Sequence, residues 1–330
     1  MTFAYTHMPL DRCSNQRKNT SWLKAQYHKE STLFCVINDG LCFFKQGEIT
    51  PLFLSKAELT PLQIEQCIFL GKSDEHAIFA VDHNKLRFST QEMLLTQGQW
   101  LALRQNSSLL NPYDAGILAL AKGLVYWHKS HQFCGQCGNL HRSVEAGHAR
   151  KCTHCRNMTF PRTDPAVIML VEKMFADGIP RCLLGRQASW PEGVYSTLAG
   201  FVDPGETLEA AVIREVLEES AIVAENPTYI TSQPWPFPAS IMLGFVAQAT
   251  SEKIDTRQDS LEHAQWFSRA QIAEFVVNKA AIIREGELNT QSTDEPTSPK
   301  GNNAPLKMSS SDSISSYLIQ AWLNKKIGKY

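Results

Sequence analysis

Apolar and polar positions in the first third of the chain form short runs separated by turn residues. An apolar run at residues 33–37 ends at Asn38-Asp39-Gly40, and a second apolar run follows at residues 41–44. Two apolar runs joined by such a turn are typical of a tight β-hairpin. The pattern predicts a mainly antiparallel β N-terminal domain over residues 1–110.

The pattern changes to helical spacing after Asn111-Pro112. Ile117, Leu120, Leu124 and Trp127 recur every three or four residues, which is the spacing of one face of a helix. We therefore predict a connector helix over residues 111–130, leading into a cysteine-rich segment.

Residues 161–330 mix strand-like and helical patterns. Strands are predicted at residues 166–171, 181–184, 229–231 and 241–247, and a helix at residues 207–220. The mixture predicts one α+β domain. Residues 285–311 have few apolar side chains and predict a mobile, low-complexity insertion. A short closing helix is predicted after the cap candidates at residues 311–313.

Composition narrows the class of protein. The chain has 330 residues, 43% of them hydrophobic, with 32 basic and 33 acidic side chains and a net charge of -1. A near-neutral balance argues against a general nucleic-acid coat and against a polybasic membrane anchor. No apolar run approaches the ~20 residues of a bilayer-spanning helix. We expect a cytoplasmic protein with no membrane partner.

Four of the nine cysteines are clustered as two Cys-x-x-Cys pairs. Cys134 pairs with Cys137, and Cys152 pairs with Cys155. Two such pairs can supply the four sulfur ligands of a tetrahedral zinc ion, and four sulfurs leave no position for water or substrate. We predict a zinc ribbon over residues 131–160 with one structural Zn²⁺ per chain. A redox dithiol or unrelated thiols are the alternatives.

The predicted helix at residues 207–220 carries a group of acids. Leu208, Val212, Glu215 and Glu219 share one face, Glu218 lies beside them, and Arg214 can pair with Glu218. Hard divalent cations such as Mg²⁺ or Mn²⁺ prefer carboxylate oxygens, so the group is a candidate site for metal-assisted attack on a phosphate. The alternative is a solvated acidic end of a surface helix.

The whole pattern resembles the Nudix box, the signature of hydrolases that act on nucleoside diphosphates linked to another group. It runs from Gly200 through Glu206 to Arg214-Glu215-Val216-Leu217-Glu218-Glu219. The family has glycine where this chain has Ala221. Alanine in the left-handed cap that glycine favours would cost about 1–2 kcal/mol. We therefore expect the chain to leave this helix differently.

Further motifs resemble the NADH diphosphatase branch of this family. They are Ser232-Gln-Pro-Trp-Pro-Phe-Pro-Ala-Ser240, the cysteine pairs before the Nudix segment, Leu10-Asp11-Arg12, and Phe160-Pro161-Arg162-Thr163-Asp164-Pro165. The resemblance implies a Nudix α/β/α sandwich preceded by the zinc ribbon and the N-terminal domain. It also implies a homodimer that hydrolyses NADH or NAD⁺ to nicotinamide mononucleotide and AMP.

The resemblance also implies roles for individual residues. Mg²⁺ or Mn²⁺ would lie on Glu215, Glu219 and the Ala199 carbonyl, with Glu218 as ligand or base and Arg214 orienting the carboxylates. A later acidic ligand is expected where Ser260 stands, and Asp259 or Glu262 would replace it. The expected substrate contacts are Phe160, Phe201, Gln233, Pro234, Trp235, Pro236, Phe237, Pro238, Ala239, Ser240 and Ser315.

Alternating prolines give the aromatic residues of this array fixed directions, so Trp235 can form a wall for a planar base. Packing of Trp235 in a dimer interface is the alternative, and core packing is the alternative for Phe160. Gln233 and Ser240 could hydrogen-bond polar groups of the substrate.

Two other functions remain open. The same chemistry could remove an NAD cap from RNA, with a basic channel near Arg150, Lys151 and Arg156. A nucleotide-binding regulatory protein with weak catalysis is the other, because Ala221 and Ser260 depart from the family pattern.

Overall fold

A computed structural model describes residues 3–59, 62–257, 261–277 and 306–330 of the chain. The strands are β1 (Leu33–Asn38), β2 (Leu41–Lys45), β3 (Leu54–Ser55), β4 (Cys67–Lys72), β5 (Ala77–Asp82), β6 (Gly98–Ala102), β7 (His141–Val144), β8 (Ala149–Cys152), β9 (Met158–Thr159), β10 (Asp164–Met174), β11 (Pro180–Gln187), β12 (Val194–Tyr195), β13 (Leu198–Phe201), β14 (Ala224–Trp235), β15 (Ser240–Ala249), β16 (Leu261–Ser268), β17 (Val276–Val277) and β18 (Lys307–Met308). The α-helices are α1 (Thr20–Tyr27), α2 (Phe88–Gln97), α3 (Leu103–Asn106), α4 (Pro112–Ser130), α5 (Leu208–Ser220), α6 (Arg269–Ala273) and α7 (Ile314–Leu323).

The N-terminal domain is built on a sheet with strand order β4-β5-β1-β2-β6. The predicted hairpin is present, with Asn38 opposite Leu41 in antiparallel register and Asp39 and Gly40 in the turn. One pair departs from the predicted antiparallel pattern, because β1 runs parallel to β5. Both faces of β1 are buried since alternate side chains enter two different hydrophobic clusters.

The predicted connector helix is α4. The side chain of Asn111 accepts a hydrogen bond from the Tyr113 backbone N–H at 2.8 Å, which caps the helix N-terminus. Its apolar face, which includes Leu118 and Val125, is buried against one face of the N-terminal sheet. The helix is therefore part of the N-terminal core as well as the link to the cysteine segment. No helix in the described ranges is long and apolar enough to span a membrane.

The second large sheet has strand order β14-β15-β10-β11-β16, with β13 paired to β10. The alternation of β10 decides its packing. Val167 and Met169 point into the cluster that contains Val212 and Val216 of α5. Ile168 and Leu170 point to the other side, into the cluster that contains residues of α7. The sheet thus lies between two helical layers, and the α/β/α sandwich is confirmed.

The closing helix is also present. Ser313 caps α7 by accepting the Ser316 backbone N–H at 3.2 Å, and Leu318 and Trp322 are fully buried. Most of the predicted mobile insertion at 285–311 lies outside the described residues. Its last part does not fit that prediction, because Lys307–Met308 forms β18 and the Met308 side chain is buried.

Candidate active site and metal centre

The four clustered cysteines come together in two turns, one before β7 and one after β8 of the small β7-β8-β9 sheet. Their sulfur atoms all lie within 4.8 Å of one another, with Cys134–Cys155 at 3.6 Å and Cys137–Cys152 at 3.5 Å. Zn–S bonds of about 2.3 Å in a tetrahedron predict sulfur–sulfur distances of about 3.8 Å. The cysteine sulfurs are therefore positioned to hold zinc.

The two cysteine turns have the same backbone design. The Cys134 N–H donates to the Asn139 carbonyl at 2.8 Å, and the Cys152 N–H donates to the Asn157 carbonyl at 2.9 Å. In the first turn, backbone N–H groups of Gln136 and Cys137 point at the Cys134 sulfur and lower the pKa of its thiol. Each turn thus brings two thiols together, and the first turn also favours the thiolate that a metal binds.

Arg214 organises the acidic end of α5. Its guanidinium donates to Glu206 at 2.8 and 2.9 Å, to Glu215 at 2.8 Å and to Glu218 at 2.9 Å. A fifth bond goes to the Phe201 carbonyl at 2.8 Å. Helical spacing in the sequence indicated the pair with Glu218, and the family resemblance implied that Arg214 orients the carboxylates. The structure uses one planar cation to hold three carboxylates in fixed orientations.

Two predicted metal ligands, Glu215 and Glu219, lie on α5 where it packs against β13, the strand that carries Ala199. A Cβ atom added at Gly200 would fall on the Glu215 carboxylate, well inside the 3.0 Å that real Cβ atoms keep. The Glu215 carboxylate therefore rests directly on the β13 backbone. Next to it, Ala199 and the buried Glu219 line one cleft. Carboxylates beside a backbone carbonyl are a donor set suited to a hard divalent cation.

The end of α5 corrects one expectation. Ala221 adopts the left-handed conformation, with φ 58° and ψ 17°, and its N–H donates to the Leu217 carbonyl at 2.8 Å. The helix therefore ends in the left-handed backbone conformation that glycine favours at this position. This left-handed conformation costs Ala221 about 1–2 kcal/mol relative to glycine. The acidic residues of α5 keep their positions on the helix.

The cleft beside these acids has a volume of about 340 Å³. Its wall is partly apolar, with Ile168 and Met242, and partly aromatic, with Trp190 and Trp235. The Arg104 guanidinium lies over the Trp235 ring at 5.2 Å. A concave site with aromatic walls, the Arg104 cation and the Glu219 carboxylate suits a nucleotide. Arg104 belongs to the N-terminal domain, and no motif in the sequence pointed to it.

The aromatic array is a β-hairpin in which Trp235 pairs with Ser240. Trp235 lines the cleft. Phe237 instead packs within this chain's own domain junction, 5.8 Å from Tyr5 and 5.5 Å from the Lys122 ammonium. The other members Pro234, Pro236, Ala239 and Ser240 line a second groove on the N-terminal side. Pro238 lines neither.

Gln233 does not line the cleft. Its side chain is fully buried, its amide nitrogen donates to the carbonyls of Ala4 at 3.1 Å and Asp312 at 2.8 Å, and its amide oxygen accepts the Ile314 N–H at 2.8 Å. It joins the N-terminal segment to the start of α7. Ser315 does reach the cleft, where its hydroxyl accepts hydrogen bonds from Ser196 at 2.8 Å and from the Thr197 N–H at 3.0 Å.

Three further expectations change or stay open. Strand alternation in β16 places Leu261 in the cleft wall and turns Glu262 away from it. The Glu262 carboxylate pairs with Arg186 and does not face the cleft as the expected metal ligand would. Asp259 and Ser260 lie outside the described residues. Phe160 and Phe201 are 57% and 60% exposed and do not line the cleft. Because Phe160 is exposed, its side chain is not packed in the hydrophobic core.

One residue of the basic channel suggested for RNA, Arg150, is engaged within the protein. The Arg150 guanidinium donates to His128 Nδ1 at 2.8 Å and to the His141 carbonyl at 3.1 Å. It is therefore engaged in joining the ribbon to α4. Arg156 is exposed on the ribbon.

Known protein families match the chain in the same three parts. Family models match as an NADH pyrophosphatase-like rudimentary NUDIX domain over residues 31–127, an NADH pyrophosphatase zinc ribbon domain over residues 129–160, and a NUDIX domain over residues 162–286. The matched ranges follow one another along the chain with short gaps.

Curated relatives agree with these models. The chain is 41% identical over 236 residues to the NAD-capped RNA hydrolase NudC of Deinococcus radiodurans, covering 72% of this chain and 79% of that protein. It is 34% identical over 295 residues to the mitochondrial NAD(P)H pyrophosphatase NUDT13 of Mus musculus, covering 83% and 78%. It is 32% identical over 308 residues to the human NAD-capped RNA hydrolase NUDT12, covering 80% of this chain and only 65% of that protein.

Proposed function

Because the chain belongs to the zinc-ribbon NADH pyrophosphatase family of Nudix hydrolases, we propose that it hydrolyses the pyrophosphate of NADH or NAD⁺. The products are nicotinamide mononucleotide and AMP. The observation that carries this proposal is the Arg214 network, which holds three carboxylates beside the cleft that Glu219 and Ala199 line.

Each residue of the site has a proposed role in this reaction. Glu215, Glu219 and the Ala199 carbonyl would hold Mg²⁺ or Mn²⁺, which would neutralise the diphosphate and activate a water molecule. Arg214 keeps the carboxylates oriented, so that little reorganisation is needed when substrate enters. Glu218, which is half exposed, acts as ligand or base. Trp235 and Arg104 form the wall that receives a planar base and its phosphate.

Product analysis with NADH tests the proposal. Protein incubated with NADH and either Mg²⁺ or Mn²⁺ should release nicotinamide mononucleotide and AMP, and a Glu219→Gln variant should lose at least about 100-fold in kcat/KM. Glu274→Gln serves as a control, since Glu274 is exposed on a different helix end. Equal rates in the wild-type protein and the Glu219→Gln variant would refute the assignment of the site.

Removal of an NAD cap from RNA is the second candidate. It is favoured by the names of two of the relatives, which are NAD-capped RNA hydrolases. The chemistry at the pyrophosphate is the same, so only the room and charge beyond the adenosine differ. Comparing kcat/KM for NADH and for capped RNA separates the two substrates.

A regulatory protein with weak catalysis is the remaining alternative. Two departures from the family pattern, Ala221 and Ser260, suggested this alternative. The first supports it less, because Ala221 keeps the left-handed cap. The second, Ser260, lies outside the described residues. Nucleotide binding without metal-dependent turnover would favour this alternative.

Two properties of the whole protein complete the proposal. We expect a homodimer, which light scattering after gel filtration measures directly. We also expect a cytoplasmic protein, although one relative is named as mitochondrial. Cell fractionation tests the location.

A further inference from the structure

Three motif segments that the catalytic acids do not use meet around one groove. The groove has a volume of about 370 Å³ and lies between the N-terminal domain, α4 and the first residues of the α/β/α domain. Arg12 comes from the Leu10-Asp11-Arg12 motif, Arg162 from the segment that follows the zinc ribbon, and Ser240 from the aromatic array. We call this site the basic groove.

The charge of the basic groove is uncompensated. It is lined by Arg12 and Arg162, and no Asp or Glu is among its described lining residues. Within the parts of the chain that the structure describes, neither arginine forms an ion pair. Arg12 is partly buried, and burial together with the neighbouring Arg17 lowers the pKa of its guanidinium. A bound anion would relieve both effects.

Histidine does not supply this charge. His148 lines the basic groove, but its ring nitrogen is hydrogen-bonded to the Phe69 carbonyl at 2.6 Å. Burial lowers the pKa of His148 to about 4, so the ring is neutral at neutral pH. The two guanidiniums therefore supply the positive charge, and the hydroxyls of Thr163 and Ser240 add hydrogen-bonding groups.

The basic groove adjoins the catalytic cleft at Trp235. Trp235 therefore forms a shared wall, with Glu219 and Arg104 on the cleft side and Arg12 and Arg162 on the groove side. A nucleotide chain that leaves the cleft past Trp235 enters a region of positive charge. Planar guanidiniums are well matched to phosphate oxygens.

We propose that the basic groove binds a phosphate group, and that this phosphate is the diester following the adenosine when the substrate is a capped polynucleotide. The second half of this proposal rests on the proposed function. The basic groove differs from the channel first suggested by the sequence, because Arg150 is engaged elsewhere and Arg156 does not line it.

The test compares NAD with the shortest extended substrate, NAD carrying one further nucleotide on the 3′ oxygen of adenosine. The wild-type protein should have the higher kcat/KM for the extended substrate. Arg12→Gln and Arg162→Gln should each lower this preference by about tenfold, the loss expected for one charged hydrogen bond. Arg162→Lys, which keeps the charge on an exposed side chain, should retain most of the preference. Arg87→Gln, an exposed arginine of the same domain as Arg12, is the matched control and should behave as wild type.

A second measurement separates a diester from free phosphate. Inorganic phosphate should raise the unfolding temperature of the wild-type protein and of Arg87→Gln, but not of Arg12→Gln or Arg162→Gln. If phosphate stabilises only proteins with both arginines while the substrate preference is unchanged in the variants, the site takes free phosphate and the polynucleotide half of the proposal fails. If neither measurement responds to the arginines, the whole proposal is overturned.

Failure of the proposed function gives a different result. A protein that cleaves neither NAD nor the extended substrate refutes the diphosphatase activity and with it the polynucleotide half. The phosphate-dependent unfolding temperature then decides the phosphate site alone, since it requires no turnover.

Discussion

Replacing Gly200 by alanine should separate catalysis from folding, because the added methyl group meets a functional carboxylate. A Cβ atom at this position would approach the Cδ and both oxygens of Glu215 to well under 3.0 Å. Restoring a normal contact requires the carboxylate to move by about 1 Å or more. Glu215 is hydrogen-bonded to Arg214 at 2.8 Å, so the displacement would also disturb the other carboxylates that Arg214 holds.

The expected magnitude follows from this displacement. Misplacing a catalytic group by about 1 Å costs on the order of 100-fold in rate, so kcat/KM for NADH should fall by about that factor. Overpacking costs about 1–3 kcal/mol in stability. The protein should therefore remain folded at 25 °C while losing nearly all activity. Steady-state kinetics and urea unfolding measure the two effects separately.

Two comparisons make the Gly200→Ala experiment decisive. Gly123→Ala is the control, since a Cβ at Gly123 of α4 meets nothing within 4 Å. In a Glu215→Ala background the obstructing carboxylate is gone, so Gly200→Ala should destabilise the protein much less than it does alone. Activity within threefold of wild type in Gly200→Ala, or the same destabilisation in both backgrounds, would refute the argument.

Three other predictions concern stability. Gln233→Ala should lower the free energy of unfolding by about 3 kcal/mol in urea titrations, because it leaves buried backbone groups unpaired; Gln46→Ala, at an exposed turn, should have little effect, and an equal effect of both would contradict the clamp. The pKa of His148 is about 4 in the folded chain and about 6.5 when unfolded, so the unfolded chain binds more protons between these values. Stability should fall by on the order of 1–2 kcal/mol from pH 7 to pH 5 on account of this group, and His148→Gln should flatten that dependence; an unchanged slope would count against it. Cys152→Ser should abolish the single tightly held zinc, measured by elemental analysis, and lower the unfolding temperature, whereas full zinc content in that variant would remove Cys152 from the ligand set.

Local patterns in the sequence were sufficient for the elements whose causes are local. The hairpin β1-β2 depends on one turn, α4 on the spacing of its apolar residues, and the cysteine turns on two short spacings. The acids of α5 share a face because helical geometry places residues three and four apart together. The Nudix motifs indicated the family, and the family implied the fold.

Long-range contacts decided the rest of the candidate site. Arg104 reaches Trp235 across a domain junction, and no periodicity relates residues so far apart in sequence. Gln233 resembled a substrate contact but is enclosed by three backbone partners from two distant segments. Glu262 was one residue from the cleft wall in sequence, yet strand alternation turned it to Arg186.

Residue type and spacing by themselves determined which groups can bind metal and which segments form helices and strands, because both follow from chemistry and geometry within a few residues. Only the tertiary structure decided which polar groups are already used and which face a cavity. That distinction depends on burial and on partners supplied by other domains. It reduced the aromatic array to one cleft residue and brought two motif arginines, Arg12 and Arg162, to the same groove.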